Sequence, residues 1–225
     1  EKMRKILLKF KLVVKPVWIL MLRYFRRYYW RNRQSVENID KYSNYQEGLF
    51  WPHVEKALPK SSFCLLEMGA SNGRALYKLS GKFKKSDFIG VDLNGAAINA
   101  GIKWANDHKI KNVKLINDDV IKWVKKIEFN YFCSCASLIY LSENELVDTF
   151  KILIDMRVDG IYFCEPASTN GKLIKRHIYI YPYENIFKLL KIEKYYSISE
   201  EVFEYEPWKG DGYCGKIFML NRIKK

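Results

Sequence analysis

Short apolar runs alternate with segments of helical spacing over residues 61–225, and this alternation predicts strands connected by helices. Five apolar runs have the length of buried strands, at residues 63–66, 87–92, 112–120, 130–135 and 159–165. Helical spacing follows them at residues 74–79, 94–108, 119–126, 142–157 and 182–190. Two last runs, 192–198 and 215–221, predict closing strands. Such alternation predicts an α/β fold with a doubly wound, mostly parallel sheet.

The stretch from Phe63 to Gly73 combines a buried strand, an acid and a turn of small residues. Glu67 ends the apolar run, and four small residues lie in the turn that precedes the helix, namely Gly69, Ala70, Ser71 and Gly73. Small residues let a ligand approach the backbone, and the first turn of a helix offers free N–H groups. The stretch therefore predicts a site for a nucleotide-like cofactor, with an ordinary strand-to-helix turn as the alternative.

Acidic residues end three successive predicted strands: Glu67, Asp92, and the pair Asp118 and Asp119. In a parallel sheet these ends lie together at the crevice where ligands bind. The spacing from Gly73 to Asp92 also suits the ribose-binding acid of a nicotinamide enzyme. However, a carboxylate at Glu67 would repel a pyrophosphate, whereas it suits a cationic sulfonium and an ammonium group.

With these motifs the chain resembles the class I S-adenosylmethionine-dependent methyltransferases from about residue 63 to its C-terminus. The resemblance implies a seven-stranded Rossmann-like sheet, with an antiparallel last strand between its neighbours, and S-adenosyl-L-methionine as cofactor. Residues 67–73 match the motif that approaches the methionine part of the cofactor, although Ala70-Ser71 replaces a glycine that many members have. The other matches are Asp92, followed by Leu93, for the ribose hydroxyls, and Asp118 or Asp119, with Val120, for the adenine.

The continuation of the fourth strand resembles the family motif in which small residues pass under the sulfonium. That match places Ser134, Cys135 and Ala136 closest to the methyl group and turns Tyr140 towards the acceptor. Tyr45, in a predicted helical cover of residues 34–60, is a further candidate acceptor contact or a core residue of the cover. The Asp/Asn-Pro-Pro-aromatic signature of enzymes that methylate nucleic-acid amino groups is absent here, which disfavours base methylation.

His177 and Glu165 are the candidates for a general base, which an alcohol acceptor would require. His177 lies in a polar, basic loop after the fifth strand, where the family places acceptor contacts, and imidazole titrates near neutral pH. A solvated surface histidine is the alternative for His177. Glu165 ends the same predicted strand, so its carboxylate is expected to face the cleft. No Asp-Asp-His set is evident, and we predict no metal.

Positive charge is concentrated at the N-terminus: residues 1–33 contain eleven Lys or Arg and one acid, which leaves +4 of the net charge of +14 for the other residues. The apolar run 12–22 is too short, and too interrupted by Lys15 and Pro16, to span a bilayer. This helical arm is favoured to lie on an anionic membrane. Contact with nucleic acid is a weaker alternative, and packing against protein is another.

The sequence thus predicts a methyltransferase domain at residues 61–225, on the cytoplasmic side and peripheral to the inner membrane face. Five cysteines, an odd number, favour buried thiols in a reducing compartment over disulfides. The favoured reaction is O-methylation of a small molecule, a sugar or a membrane-linked glycan precursor. An RNA methyltransferase that uses the basic arm, and a non-catalytic binding protein of this fold, are the rival hypotheses. The oligomeric state does not follow from the sequence.

Overall fold

The computed structural model describes residue 28 and residues 49–168, 173–175, 178–203 and 213–224. Six α-helices lie within these residues: α1 (Trp51–Ala57), α2 (Arg74–Lys82), α3 (Gly95–Asp107), α4 (Val120–Trp123), α5 (Glu143–Asp155) and α6 (Tyr183–Leu190). The strands of the same residues are β1 (Cys64–Met68), β2 (Asp87–Asp92), β3 (Val113–Asn117), β4 (Tyr131–Cys135), β5 (Gly160–Ser168), β6 (Leu173–Lys175), β7 (Ile178–Ile180), β8 (Tyr196–Phe203) and β9 (Tyr213–Arg222). Two 3₁₀ turns lie at Leu138–Tyr140 and Ile192–Lys194.

Seven strands form one sheet in the order β3-β2-β1-β4-β5-β9-β8. Strands β1 to β5 are parallel, whereas β9 is antiparallel to both β5 and β8 and lies between them. The prediction of a doubly wound sheet with an inserted antiparallel last strand is confirmed. Because the parallel strands run in the same direction, the ends of β1, β2, β3 and β4 meet at one edge.

Successive side chains of each central strand enter opposite apolar layers, as the two-residue period of a strand requires. Leu66, Phe132 and Phe163 belong to the layer that packs against α5 and α6. Leu65, Cys133 and Tyr162 belong to the layer beside α1 and α2. Both layers are buried, so the strand ends are held in a fixed position by packing on both faces.

Several element bounds differ from the sequence predictions. The closing strands predicted at residues 192–198 and 215–221 run from Tyr196 to Phe203 and from Tyr213 to Arg222. Strand β5 extends to Ser168, beyond the predicted end at Glu165, because it continues to pair with β9 as far as Tyr213. Helix α4 is shorter than the predicted range of 119–126. Asp119 is its N-cap, and the helix ends at Trp123. The loop predicted after β5 contains the antiparallel pair β6–β7.

Helix α5 begins with a capping box. The Glu145 N–H donates to Ser142 Oγ over 3.4 Å, and the Ser142 N–H donates to Glu145 Oε2 over 2.9 Å. Apart from residue 28, the basic arm lies outside the described residues, and so does most of the helical cover. None of the helices that the structure describes is long and apolar enough to cross a membrane.

Candidate active site

The loop between β1 and α2, which we name the glycine loop (residues 69–73), has three residues with left-handed backbone. Gly69 and Gly73 have φ of 75°, and Ser71 has φ of 51°. This conformation suits glycine and is tolerated by few other residues, so the glycines of the motif have a backbone reason. The Gly69 N–H donates to the Val91 carbonyl over 2.8 Å, which holds the loop against the end of β2.

Asp92 joins the ends of three strands. Its Oδ2 accepts from the Ser71 N–H over 2.8 Å, and its Oδ1 accepts from the Asn94 N–H over 2.7 Å. The Asp92 carbonyl accepts from the Asp118 N–H at 3.2 Å, at the end of β3. Asp92 therefore links the glycine loop after β1 to the end of β3.

Glu67 places a second carboxylate beside Asp92. Its side chain is buried, and its Oε2 has no hydrogen-bond partner among the described residues. Burial raises the pKa of Glu67 well above its usual value, and the negative charge of Asp92 raises it further. Burial also raises the pKa of Asp92, although the N–H groups of Asn94, Ser71 and Leu93 act in the opposite direction. Two carboxylates therefore lie side by side at this strand end, and a cationic ligand would complement them.

Helix α3 packs on the back of the glycine loop at Gly101. A Cβ added to Gly101 would lie 2.2 Å from the Asn72 carbonyl oxygen and 2.6 Å from Leu115 Cδ1. Leu115 of β3 also fills the space behind Gly73, where an added Cβ would lie 2.7 Å from Leu115 Cδ2. The sequence predicts a helix here but gives no sign of the contact between Gly101 and Asn72.

The two acids after β3 have different roles in the chain. Asp118 accepts from the Asp119 N–H over 2.7 Å, from Trp123 Nε1 over 2.8 Å and from Lys122 Nζ over 3.3 Å. The Asp119 N–H, followed by the Trp123 indole, lowers the pKa of Asp118. Asp119 is buried and accepts from the Ile121 N–H, and Val120 begins the helix beside it. Both acids remain candidates for reading the adenine.

The turn after β4 comes next to the glycine loop. Ser134 and Cys135 are buried at the end of β4, and Ala136 has a left-handed φ of 54°. A Cβ added to Gly69 would lie 1.9 Å from Ser137 Oγ, so the first and fourth motifs touch at these two residues. The sequence alone did not identify Ser137 as a site residue. The only indication of its position is that Gly69, the residue it contacts, has no side chain.

Glu165 does not end its strand, which corrects the sequence prediction, because β5 continues for three more residues. The side chain is completely buried, so it does not face an open cleft as expected. Burial raises the pKa of Glu165 to about 8, although hydrogen bonds from the turn after β4, first those of Leu138 and Ser137, lower it.

Of the residues predicted to contact the acceptor or to act on it, the structure describes Tyr140 and Glu165. Tyr140 is half-buried in the 3₁₀ turn after β4. Tyr181, just after β7, donates its hydroxyl to the Leu141 carbonyl over 2.7 Å, so the β6–β7 pair is tied to this turn. His177 and Tyr45 lie outside the described residues. In the described part of the chain, no group of three or more His, Cys, Asp or Glu side chains is placed to hold a metal ion.

A family model described as "Putative methyltransferase" matches residues 61–133, about a third of the chain. These residues contain β1 to β3 and the first part of β4, and therefore the glycine loop, Asp92 and the two acids after β3. No curated protein matches the sequence.

Several solved structures, two of them methyltransferases, share the fold. Phosphoethanolamine N-methyltransferase 2 of Haemonchus contortus, in complex with S-adenosyl-L-methionine, is 13% identical with a TM-score of 0.58, covering 75% of this chain and 50% of that chain. This chain thus spans half the length of that protein. Geranyl diphosphate C-methyltransferase of Streptomyces coelicolor A3(2) is 9% identical with a TM-score of 0.60 and 77% coverage of each chain. The PH0226 protein of Pyrococcus horikoshii OT3 is 15% identical with a TM-score of 0.54, covering 87% of this chain and 95% of that chain.

The strand order, the glycine loop and the strand-end acids are those of one class of proteins. That class is the class I S-adenosylmethionine-dependent methyltransferases, which this chain resembles in its fold and in the region that the family model matches. Identities this low establish the shared fold, and they do not transfer the acceptor of any of these enzymes to this chain. S-adenosylmethionine is the cofactor of the class.

Proposed function

We propose that this chain methylates a hydroxyl oxygen of a small molecule, with S-adenosylmethionine as methyl donor. The favoured acceptors are a sugar or a membrane-linked glycan precursor. The observation that supports a cationic cofactor most directly is the buried Glu67 Oε2, which lacks a partner among the described residues and lies beside the carboxylate of Asp92. An anionic pyrophosphate would add to the repulsion between these two carboxylates, whereas an ammonium or sulfonium group would reduce that repulsion.

Each strand end would hold one part of the cofactor. Glu67 and the glycine loop would hold the methionine part, and Asp92 would accept hydrogen bonds from the ribose hydroxyls. Asp118 or Asp119, with Val120, would hold the adenine. Ser134, Cys135 and Ala136 would lie under the sulfonium. When bound, the cofactor supplies a methyl group on a positively charged sulfur, which is activated for in-line displacement.

The chain would contribute mainly alignment of the two reactants and removal of one proton. A hydroxyl acceptor must lose its proton as its oxygen is methylated, and a base near neutral pKa serves that step best. We assign this step to the His177 imidazole. The segment that contains His177 connects β6 to β7, and the residues after β7 are tied to the turn that follows β4.

Two sequence features favour an oxygen acceptor outside nucleic acid. The residues after the start of β4 read Ser134-Cys135-Ala136-Ser137, which lacks the proline pair of nucleic-acid amino methyltransferases. The basic, aromatic arm of residues 1–33 suits an anionic lipid surface. We therefore place the protein on the cytoplasmic face of the membrane as a peripheral protein.

Transfer of labelled methyl groups from S-adenosylmethionine tests the proposal. The full chain would be incubated separately with total RNA, with cell-envelope extract and with a soluble metabolite fraction. Label that appears in an alkali-stable ether of an envelope or small-molecule fraction is the expected result. Label confined to RNA would favour the RNA methyltransferase, and a protein that binds the cofactor but labels no fraction would favour a non-catalytic binding role.

A further inference from the structure

The buried carboxylate of Glu165 bonds to the turn after β4 at three points. Its Oε1 accepts from the N–H groups of Ser137 and Leu138, each over 2.9 Å, and from Ser134 Oγ over 3.3 Å. All three donors belong to the segment that follows or ends β4. One carboxylate oxygen on β5 therefore accepts three hydrogen bonds from the end of β4 and the turn that follows it.

This turn cannot be held by ordinary strand pairing. Ala136 has a left-handed φ, so the chain leaves the strand direction there, although its N–H still donates to the Cys164 carbonyl over 3.0 Å. The next two N–H groups point at Glu165 instead of a strand. Buried N–H groups without an acceptor cost roughly 1–3 kcal/mol each, so the carboxylate fixes where Ser137 lies. Ser137 in turn contacts Gly69 of the glycine loop.

Burial makes Glu165 a poor candidate for a base that exchanges protons with an acceptor. Its relative exposure is 0%, and its Oε1 is already occupied by three donors. Its Oε2 is also buried and, like the Tyr183 hydroxyl of α6, has no partner among the described residues. Lys216 lies opposite Glu165 in register on β9, but its Nζ binds Glu184 and Glu200.

We infer that Glu165 is a positioning residue, which anchors the turn after β4 against the glycine loop and so shapes the methyl-donor side of the cofactor site. The inference rests on the proposed cofactor function and replaces the hypothesis that Glu165 is a general base. It acts through Ser137 and Leu138 and does not itself touch the reacting atoms.

Three substitutions separate the two roles, and cofactor binding alone suffices as the readout. Glu165→Gln keeps an oxygen that can accept all three bonds and places its NH₂ near the unpartnered Oε2 position. Glu165→Ala removes the acceptor, and Glu165→Asp withdraws it by one methylene. Calorimetry with S-adenosylhomocysteine would be combined with hydrogen exchange at the Ser137 and Leu138 amides. Tyr196→Phe is the matched control, because the Tyr196 hydroxyl is also buried and donates to the Val158 carbonyl at the far end of β5.

Positioning predicts that Glu165→Gln changes the Kd by less than about threefold and keeps both amides protected. Glu165→Ala should raise the Kd by about tenfold or more and expose both amides, since loss of the anchor shifts the turn. Tyr196→Phe should lower stability without changing the Kd. A Kd that is unchanged in both Glu165→Ala and Glu165→Gln would overturn the inference.

Should Glu165→Ala not fold, Glu165→Asp takes its place: exposed amides support the anchor, and protected amides contradict it. Failure of the wild-type chain to bind the cofactor would refute the proposed function instead. The exchange measurement at Ser137 and Leu138 would still test the anchor by itself, so the two failures are distinguishable.

Discussion

Two glycines in helices give a prediction in which the same substitution has opposite effects. Alanine in place of glycine inside a helix usually stabilises it by roughly 0.5–1 kcal/mol, because glycine has more backbone freedom to lose. At Gly81, in the last turn of α2, an added Cβ meets nothing within 4 Å. At Gly101 of α3, the added Cβ would lie 2.2 Å from the Asn72 carbonyl oxygen.

The obstacle at Gly101 is backbone, so it cannot be removed by a side-chain rotation, and α3 or the glycine loop must shift. Overpacking of this kind costs roughly 1–3 kcal/mol. After subtraction of the helix gain, we expect Gly101→Ala to destabilise the protein by up to about 2.5 kcal/mol. Gly81→Ala should instead stabilise it by up to about 1 kcal/mol.

Urea denaturation measures both effects, provided that the m value of each variant equals that of the wild type. Because Asn72 belongs to the glycine loop, Gly101→Ala should also weaken S-adenosylhomocysteine binding, whereas Gly81→Ala should leave it unchanged. A Gly101→Ala variant that is as stable as Gly81→Ala and binds the cofactor equally well would refute the packing of α3 against the loop.

Two further predictions concern pH and the N-terminal arm. The pKa of Glu165 is raised from an ordinary value of 4.5 to about 8 by burial, so the native state retains a proton that the unfolded chain releases. Its contribution to stability is therefore fully present below pH 4.5 and is lost as the pH rises towards 8. In Glu165→Gln, the free energy of unfolding should change less with pH over this range. The same pH dependence in both proteins would contradict the burial of Glu165. For the arm, full-length protein should co-sediment with anionic liposomes and dissociate as salt is raised. Replacement of the five arginines in residues 23–33 by glutamine should reduce that binding at unchanged cofactor affinity, and indifference of the wild type to liposomes at low salt would contradict a membrane role.

The predictable part of this protein is what local sequence determines. Apolar runs ended by Glu67 and Asp92 identify strands and their acidic ends, and the spacing of Ser142 and Glu145 identifies a helix start. These patterns need only near neighbours, so they could be read before the fold was known.

The remainder depends on residues that are distant in sequence. Strand β5 passes Glu165 because it pairs with β9, and that pairing buries a carboxylate that the sequence places at a strand end. The contacts of Gly101 with Asn72 and of Ser137 with Gly69 also join separate elements. A glycine in a helix and a serine in a turn have no pattern that identifies their partners.

The central claim is that the glycine loop, Glu67 and Asp92 bind S-adenosylmethionine, and calorimetry on Asp92→Ala tests it most directly. Asp87→Asn is the matched control, because Asp87 is an exposed acid at the opposite end of the same strand. The wild type should bind S-adenosylmethionine and S-adenosylhomocysteine at one site. Asp87→Asn should bind each ligand as tightly as the wild type does. Asp92→Ala should lose about 100-fold or more, since two ribose hydroxyls lose a charged acceptor. Folded wild-type protein that binds neither ligand, or that binds a nicotinamide dinucleotide tightly instead, would contradict the claim.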